Sequence, residues 1–171
     1  MNDAKHTLLK TLGLGAIAGL RSMAAPALLS QAAVRGTVTG LEGTPFGVLG
    51  SRKVSALLGA MALGEVIADK TPLVPSRTSP PALLGRMVVS ALVGAALFAP
   101  DRRRAVVGGA LGAVSTVVAA YTGEHLRALG SERLSVPDPL LGLLEDGLVL
   151  FFGTRLLRKD KTGQESDTSR V

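Results

Sequence analysis

Apolar residues gather in five long runs separated by short polar breaks. The first, Thr11–Val34, carries a single charge, Arg21. The second, Val54–Ala68, is interrupted by Glu65, and the third, Ala82–Ala99, holds Arg86 near its start. The fourth, Ala105–Gly123, has no charge, whereas the fifth, Pro139–Leu157, contains Glu145, Asp146 and Arg155. None alternates apolar with polar positions, and Ala and Leu outnumber aromatic and β-branched residues, so each run predicts a helix rather than a strand. A helix needs about 20 residues to cross a hydrocarbon core of about 30 Å. The first, third and fourth runs meet that length. The second must tilt, borrow from Phe46–Leu49 or stop part way, and the fifth is long enough but carries two acids.

The breaks between runs are short. Arg35–Lys53 is polar and glycine-rich, Asp69–Pro81 holds four prolines, and Pro100–Arg104 brings three arginines together. Glu124–Asp138, of mixed charge, reads as a further connection, and Arg158–Val171 reads as a disordered polar tail. The expected organisation is one transmembrane helical domain over residues 1–157 and a cytoplasmic tail over 158–171. The first run is not an ordinary secretory signal, because it continues past Arg21 and Pro26. Pro26 lacks an amide donor and clashes with the carbonyl of Ser22, which predicts a kink or break there.

Composition strengthens the membrane reading. Of 171 residues 47% are hydrophobic, 21 are glycine and none is tryptophan. Such a mixture of Ala, Leu, Val and Gly lets helices approach closely in lipid. The expected fold is therefore all-α, a polytopic transmembrane bundle of about five spans. The absence of cysteine excludes disulfides, thiolate metal sites and thiol nucleophiles. Two histidines, His6 and His125, are too few for a histidine metal cage, so no metal or cofactor is expected. The net charge of +6 resides in short clusters between apolar runs, with no aromatic platform among them. Flanking loops of a membrane protein account for it, and nucleic acid is not an expected partner. Ser22 has no His/Asp partner at a recognisable spacing, so a catalytic role is not expected either.

Lysine and arginine also set orientation. With five crossings, ten fall on the side of Arg102, Arg103 and Arg104 and six on the other, which places that loop and the C-terminus in the cytoplasm. Lys5 and Lys10 oppose the external N-terminus this implies. A first run that turns back near Arg21–Pro26 removes the conflict by returning the N-terminus to the inside. The three arginines also suit anionic lipid.

Gly15, Gly19, Ser22 and Pro26 share their spacing with Gly108, Gly112, Ser115 and Ala119, and Leu57-Leu58-Gly59 resembles Leu140-Leu141-Gly142. The match suggests an inverted repeat of the transporter kind. The Gly/Ala helix faces also suit a homo-oligomer. Charges at membrane depth are costly, about 2.5–3.5 kcal/mol for a central Arg or Asp on insertion scales. Arg21, Arg86, Glu65, Glu145 and Asp146 are such charges, with Asp69 and Lys70 close behind Glu65. Their bland role is pairing, Arg21 with Glu145 or Asp146 and Arg86 with Glu65. Their sharper role is to line a polar cavity, since adjacent Glu145 and Asp146 point about 100° apart on a helix.

Gly19-Leu20-Arg21-Ser22 with Pro26, Glu65 through Asp69-Lys70 to Pro72, Arg86, and Glu145-Asp146 together resemble a family of small bacterial membrane proteins known only as a domain of unknown function. The resemblance spans residues 11–157. It implies an integral protein of the bacterial cytoplasmic membrane, groups Arg21, Glu65, Asp69, Lys70, Arg86, Glu145 and Asp146, and supplies no activity. The leading expectation is a small transporter or channel with a buried charged site. The alternative is a non-transporting scaffold or partner subunit whose charges are structural.

Overall fold

A computed structural model describes residues 2–68, 78–134 and 138–157. They form helices α1 (Asn2–Leu20), α2 (Ala24–Val34), α3 (Arg52–Ala68), α4 (Pro80–Leu97), α5 (Arg102–Leu134) and α6 (Asp138–Leu156), with a short 3-10 turn at Pro45–Gly50. No strand occurs among the described residues.

The first apolar run is two helices. It breaks over Arg21–Met23, which places Pro26 in the first turn of α2, where its missing amide leaves no helical bond unmade. Gly36, at φ 68°, ends α2, and the Thr37 amide donates back to the Ala32 carbonyl at 2.9 Å. Asp101 caps α5 by accepting from the amides of Arg103 and Arg104 at 3.0 and 3.3 Å. One expected connection is helical over most of its length. Residues 124–134 continue α5 to a length of 33 residues, because Glu124, Leu126, Arg127, Ala128 and Leu129 are strong helix formers and no proline intervenes before Pro137.

Three helices form the tight centre. A Cβ on Gly15 would lie 2.7 Å from the Gly112 carbonyl, and one on Gly19 would lie 2.5 Å from the Thr116 carbonyl. Gly94 and Gly112 are as close-set, against the backbone carbonyls of Gly108 and Ser90. Ser115 Oγ donates to the Leu12 carbonyl at 2.9 Å and Thr116 Oγ1 to the Gly15 carbonyl at 2.8 Å. The small-residue faces of α1 and α5 therefore meet each other. Mutual packing accounts for their shared spacing without a duplication, and it occupies these faces inside the chain.

Neighbours along each helix fix direction. On α6, Leu156 adjoins Gly13 of α1, Gly153 adjoins Leu28 of α2, and Asp146 meets Arg21. Leu157 shares a hollow with Arg35 and Thr37 beyond the end of α2. Hence α6 is antiparallel to α1 and parallel to α2, and α1 and α2 are the arms of a hairpin with its tip at Arg21–Met23. The start of α1 and the end of α2 lie at one end of the bundle. The α4–α5 connection lies there too, since Gly40 abuts Pro100. The first run therefore turns back on itself at Arg21–Met23, and the N-terminal end of α1 lies at the same end as the start of α5 and the end of α6.

Leu14, Ile17, Leu29, Val93 and Val149 form an apolar core, but many other large apolar side chains point outward. Leu57, Leu63, Leu84, Val88, Val106, Val118, Leu144 and Leu150 are all more than half exposed. Thr11, Ser30, Ser90 and Thr116 are fully buried alongside Leu14 and Leu29, as are nearly all of Arg21 and Arg86. Among the described residues two helices are long and apolar enough to cross a membrane, Pro80–Leu97 and Arg102–Gly130. The other helices do not meet that measure of length and apolarity: α2 has 11 residues, α3 has 17, and α6 carries charge.

Candidate functional site

The hairpin tip leaves backbone groups unpaired at two helix ends: carbonyls where α1 stops and amides where α2 starts. Two charged side chains meet them. Glu65, from the last turn of α3, accepts from the Ser22 amide at 2.8 Å and the Ser22 hydroxyl at 2.7 Å through Oε1. Its Oε2 accepts from the Met23 amide at 2.8 Å. Arg86 of α4 donates through Nη1 to the carbonyls of Gly19 and Leu20, both at 3.1 Å. Its Nη2 lies 3.6 Å from Glu65 Oε1. An anion thus sits at the positive start of α2 and a cation at the negative end of α1, each complementing the helix dipole. Glu65 and Arg86 clamp the broken ends.

Arg21 differs from this pair. It sits at the tip, and its Nε lies 2.7 Å from Asp146 Oδ1 of α6, with the two side chains 4% and 17% exposed. The contact is an ion pair without hydrogen-bond alignment at those two atoms. Both side chains front a groove of about 300 Å³ between α2, α3 and α6. Leu28, Leu63, Val66, Val149 and Leu150 form its apolar walls, and Gln31 and Thr154 stand further along it. A second hollow of about 150 Å³ shares Leu28, Gln31 and Thr154 and reaches Arg35 and Thr37. The two form one path from the end of the bundle that carries Arg35 to the buried pair.

The structure thus joins Arg86 to Glu65 and Arg21 to Asp146. Glu145 is half-buried beside Asp146 but does not line the groove. Asp69 and Lys70, and the proline-bearing loop expected at a cavity mouth, lie outside the described residues. Arg102, Arg103 and Arg104 are exposed at the start of α5. Among the described residues no cluster of three His, Cys, Asp or Glu could hold a metal ion. Sequence reasoning missed the role of Ser22 as the cap for Glu65, for which the nearby Pro26 was the available signal. It also missed Gln31 and Thr154, which carry no signal outside the folded groove.

A family model described as a domain of unknown function (DUF4126) matches residues 8–157. The chain belongs to that family. No curated protein matches it, and no solved structure does. Membership therefore brings no chemistry from relatives, and what the site does has to be argued from the hairpin tip and the groove that leads to it.

Proposed function

We propose that this family member is an integral membrane protein, a small transporter or channel whose site is the Arg21–Asp146 pair at the closed end of the α2–α3–α6 groove. Several features support the membrane setting. The two long apolar helices bury only 28% of their spans inside the chain, unlike the core helices of a soluble protein. The exterior carries many exposed aliphatic side chains, while Arg21, Arg86, Thr11, Ser30, Ser90 and Thr116 are buried beside Leu14, Ile17 and Leu29. Among the described residues between the apolar runs, the hairpin puts eight Lys and Arg at the end bearing the starts of α1 and α5 and two, Arg127 and Arg133, at the other, against six and four for five crossings. That excess supports a cytoplasmic placement in a bacterial inner membrane for the end bearing the start of α1, with which Lys5 and Lys10 agree. Arg102–Arg104 then lie where anionic headgroups would meet them.

The observation that carries the transport reading is an almost fully buried charge pair fronting an open groove at a broken helix. Irregular backbone at membrane depth is tolerated where it meets protein or water, and broken helices commonly mark substrate sites. The scaffold reading has its own support in the Glu65–Arg86 clamp, which holds the two broken ends of the hairpin tip. A single experiment separates the two. The chain has no cysteine, so Ala27→Cys in the groove and Val118→Cys on the outer face of α5 are each the sole thiol. A charged methanethiosulfonate reagent applied to inverted membrane vesicles should modify Ala27→Cys much faster than Val118→Cys. Equal, slow rates would mean a dry groove and leave the scaffold reading.

A further inference from the structure

The outer side of α1 carries two apolar grooves. One, of about 420 Å³, runs between α1 and α5, from Leu12 and Leu111 to Val118 and Thr122. The other, of about 380 Å³, runs between α1 and α6, from Gly13 and Leu156 to Leu20 and Leu148. Ala16 lines both and forms the ridge between them. Ser115, part-way along the first, already donates to the Leu12 carbonyl at 2.9 Å. From Leu111 to Thr122 the helix rises about 16 Å, close to half of a hydrocarbon core of about 30 Å.

Basic residues stand at one end of both grooves. Helices α1 and α5 run side by side in the same direction, since Gly15 meets Gly112 and Gly19 meets Thr116. Seven residues return a helix to within about 20° of the same face, two turns further on. Exposed Lys5 therefore shares the face of Leu12, and Arg104 that of Leu111, each two turns ahead of the first groove. Lys10 stands in the same relation to Ile17 of the second groove. Leu8 and Val107, both exposed, continue the apolar surface between those charges and the first groove. The Arg104 side chain is 71% exposed, and its Nε lies 3.1 Å from Asp101. Arg102 lies on the opposite face of α5, nine residues before Leu111.

We propose that the two grooves hold the acyl chains of one anionic phospholipid, seated astride α1 with its headgroup among Lys5, Lys10 and Arg104. This rests on the membrane setting and needs no transport. Basic residues gathered between helices at one face of a membrane suit anionic headgroups. Two grooves of nearly equal size on either side of one ridge match two chains hanging from one headgroup, and a reach of one leaflet matches their depth. A second copy of the chain would present a helix, for which two grooves split by Ala16 offer no single seat.

Native mass spectrometry of the full chain in dodecyl maltoside, titrated with phosphatidylglycerol or with phosphatidylcholine of the same acyl chains, tests this. One phosphatidylglycerol should bind per chain, about tenfold or more tighter than phosphatidylcholine. Lys5→Gln and Arg104→Gln should each weaken it about fivefold. Arg102→Gln removes the same charge from the opposite face and should change affinity by less than about twofold. Lysophosphatidylglycerol, with one chain for two grooves, should bind about tenfold or more weakly than the two-chain lipid. Ala16→Leu puts bulk on the ridge and should bring the two-chain lipid down to that level, with circular dichroism checking the fold; if this variant does not fold, the charge variants and the one-chain lipid decide. Equal affinity for phosphatidylcholine, Arg102→Gln as costly as Arg104→Gln, a one-chain lipid bound as tightly as the two-chain lipid, or unchanged affinity in folded Ala16→Leu would each overturn the proposal. A chain dimer that phosphatidylglycerol does not displace and Ala16→Leu abolishes would give this face to a second copy instead. Fast modification of Val118→Cys by the charged reagent would remove the membrane setting itself, whereas slow modification with no preference for phosphatidylglycerol would remove the lipid site alone.

Discussion

Replacing Glu65 with alanine removes the acceptor that three donors of the hairpin tip share, together with the carboxylate beside Arg86. Breaking a buried ion pair by deleting one partner costs about 3–5 kcal/mol, and each orphaned buried amide about 1–3 kcal/mol. These terms overlap, because the same relaxation that rehydrates Ser22 and Met23 also reaches Arg86. The pair distance of 3.6 Å and a Glu65 side chain that is 13% exposed favour the lower part of the range. The expected loss is about 3–4 kcal/mol. For a chain of this size each kcal/mol lowers the unfolding midpoint by about 2–4 °C, so Glu65→Ala should fall by about 6–16 °C. Glu65→Gln keeps one carbonyl acceptor but faces a remaining donor with its own NH₂, and should lose about 1–3 kcal/mol. The assay is thermal unfolding in dodecyl maltoside followed by far-ultraviolet circular dichroism. Adding Arg86→Met to Glu65→Ala should cost less than the sum of the single changes, since it removes the stranded cation. A Glu65→Ala midpoint within 2 °C of wild type, with helicity intact, would refute the clamp.

Other outcomes follow from the same geometry. Gly112→Ala should lower the unfolding midpoint because its Cβ meets the Ser90 carbonyl, whereas Gly64→Ala, with nothing within 4 Å, should hold or raise it by gaining up to about 1 kcal/mol of helix propensity; equal effects would reject the close α4–α5 contact. Arg21→Ala should destabilise by about 3–5 kcal/mol by stranding Asp146, and Asp146→Asn in the same chain should recover part of that; unchanged stability in Arg21→Ala would mean that Arg21 is hydrated. Single cysteines at Lys5 and Arg102 should react with an impermeant thiol reagent from the same side of the membrane; labelling from opposite sides would mean that the first run crosses.

The sequence by itself determined that the chain is helical and approximately where each helix lies. Runs of Ala, Leu, Val and Gly without alternation admit no strand, and Pro26 behind Arg21-Ser22 marks a break that no distant residue could remove. It also narrowed the pairing of charges, because few ionisable groups lie at depth and each needs an opposite partner nearby. Tertiary structure alone decided what the break becomes. A proline allows a kink or a reversal equally, and the choice was made by Glu65 and Arg86, which lie 43 and 67 residues from the groups they hold. Packing also decided that the glycine faces of α1 and α5 serve each other, since close approach in a lipid-like interior rewards any small-residue partner and sequence spacing does not name one. The groove is likewise a product of assembly. Gln31, Leu63 and Thr154 are ordinary helix residues until α2, α3 and α6 stand side by side, and only then do they frame a path to a buried arginine.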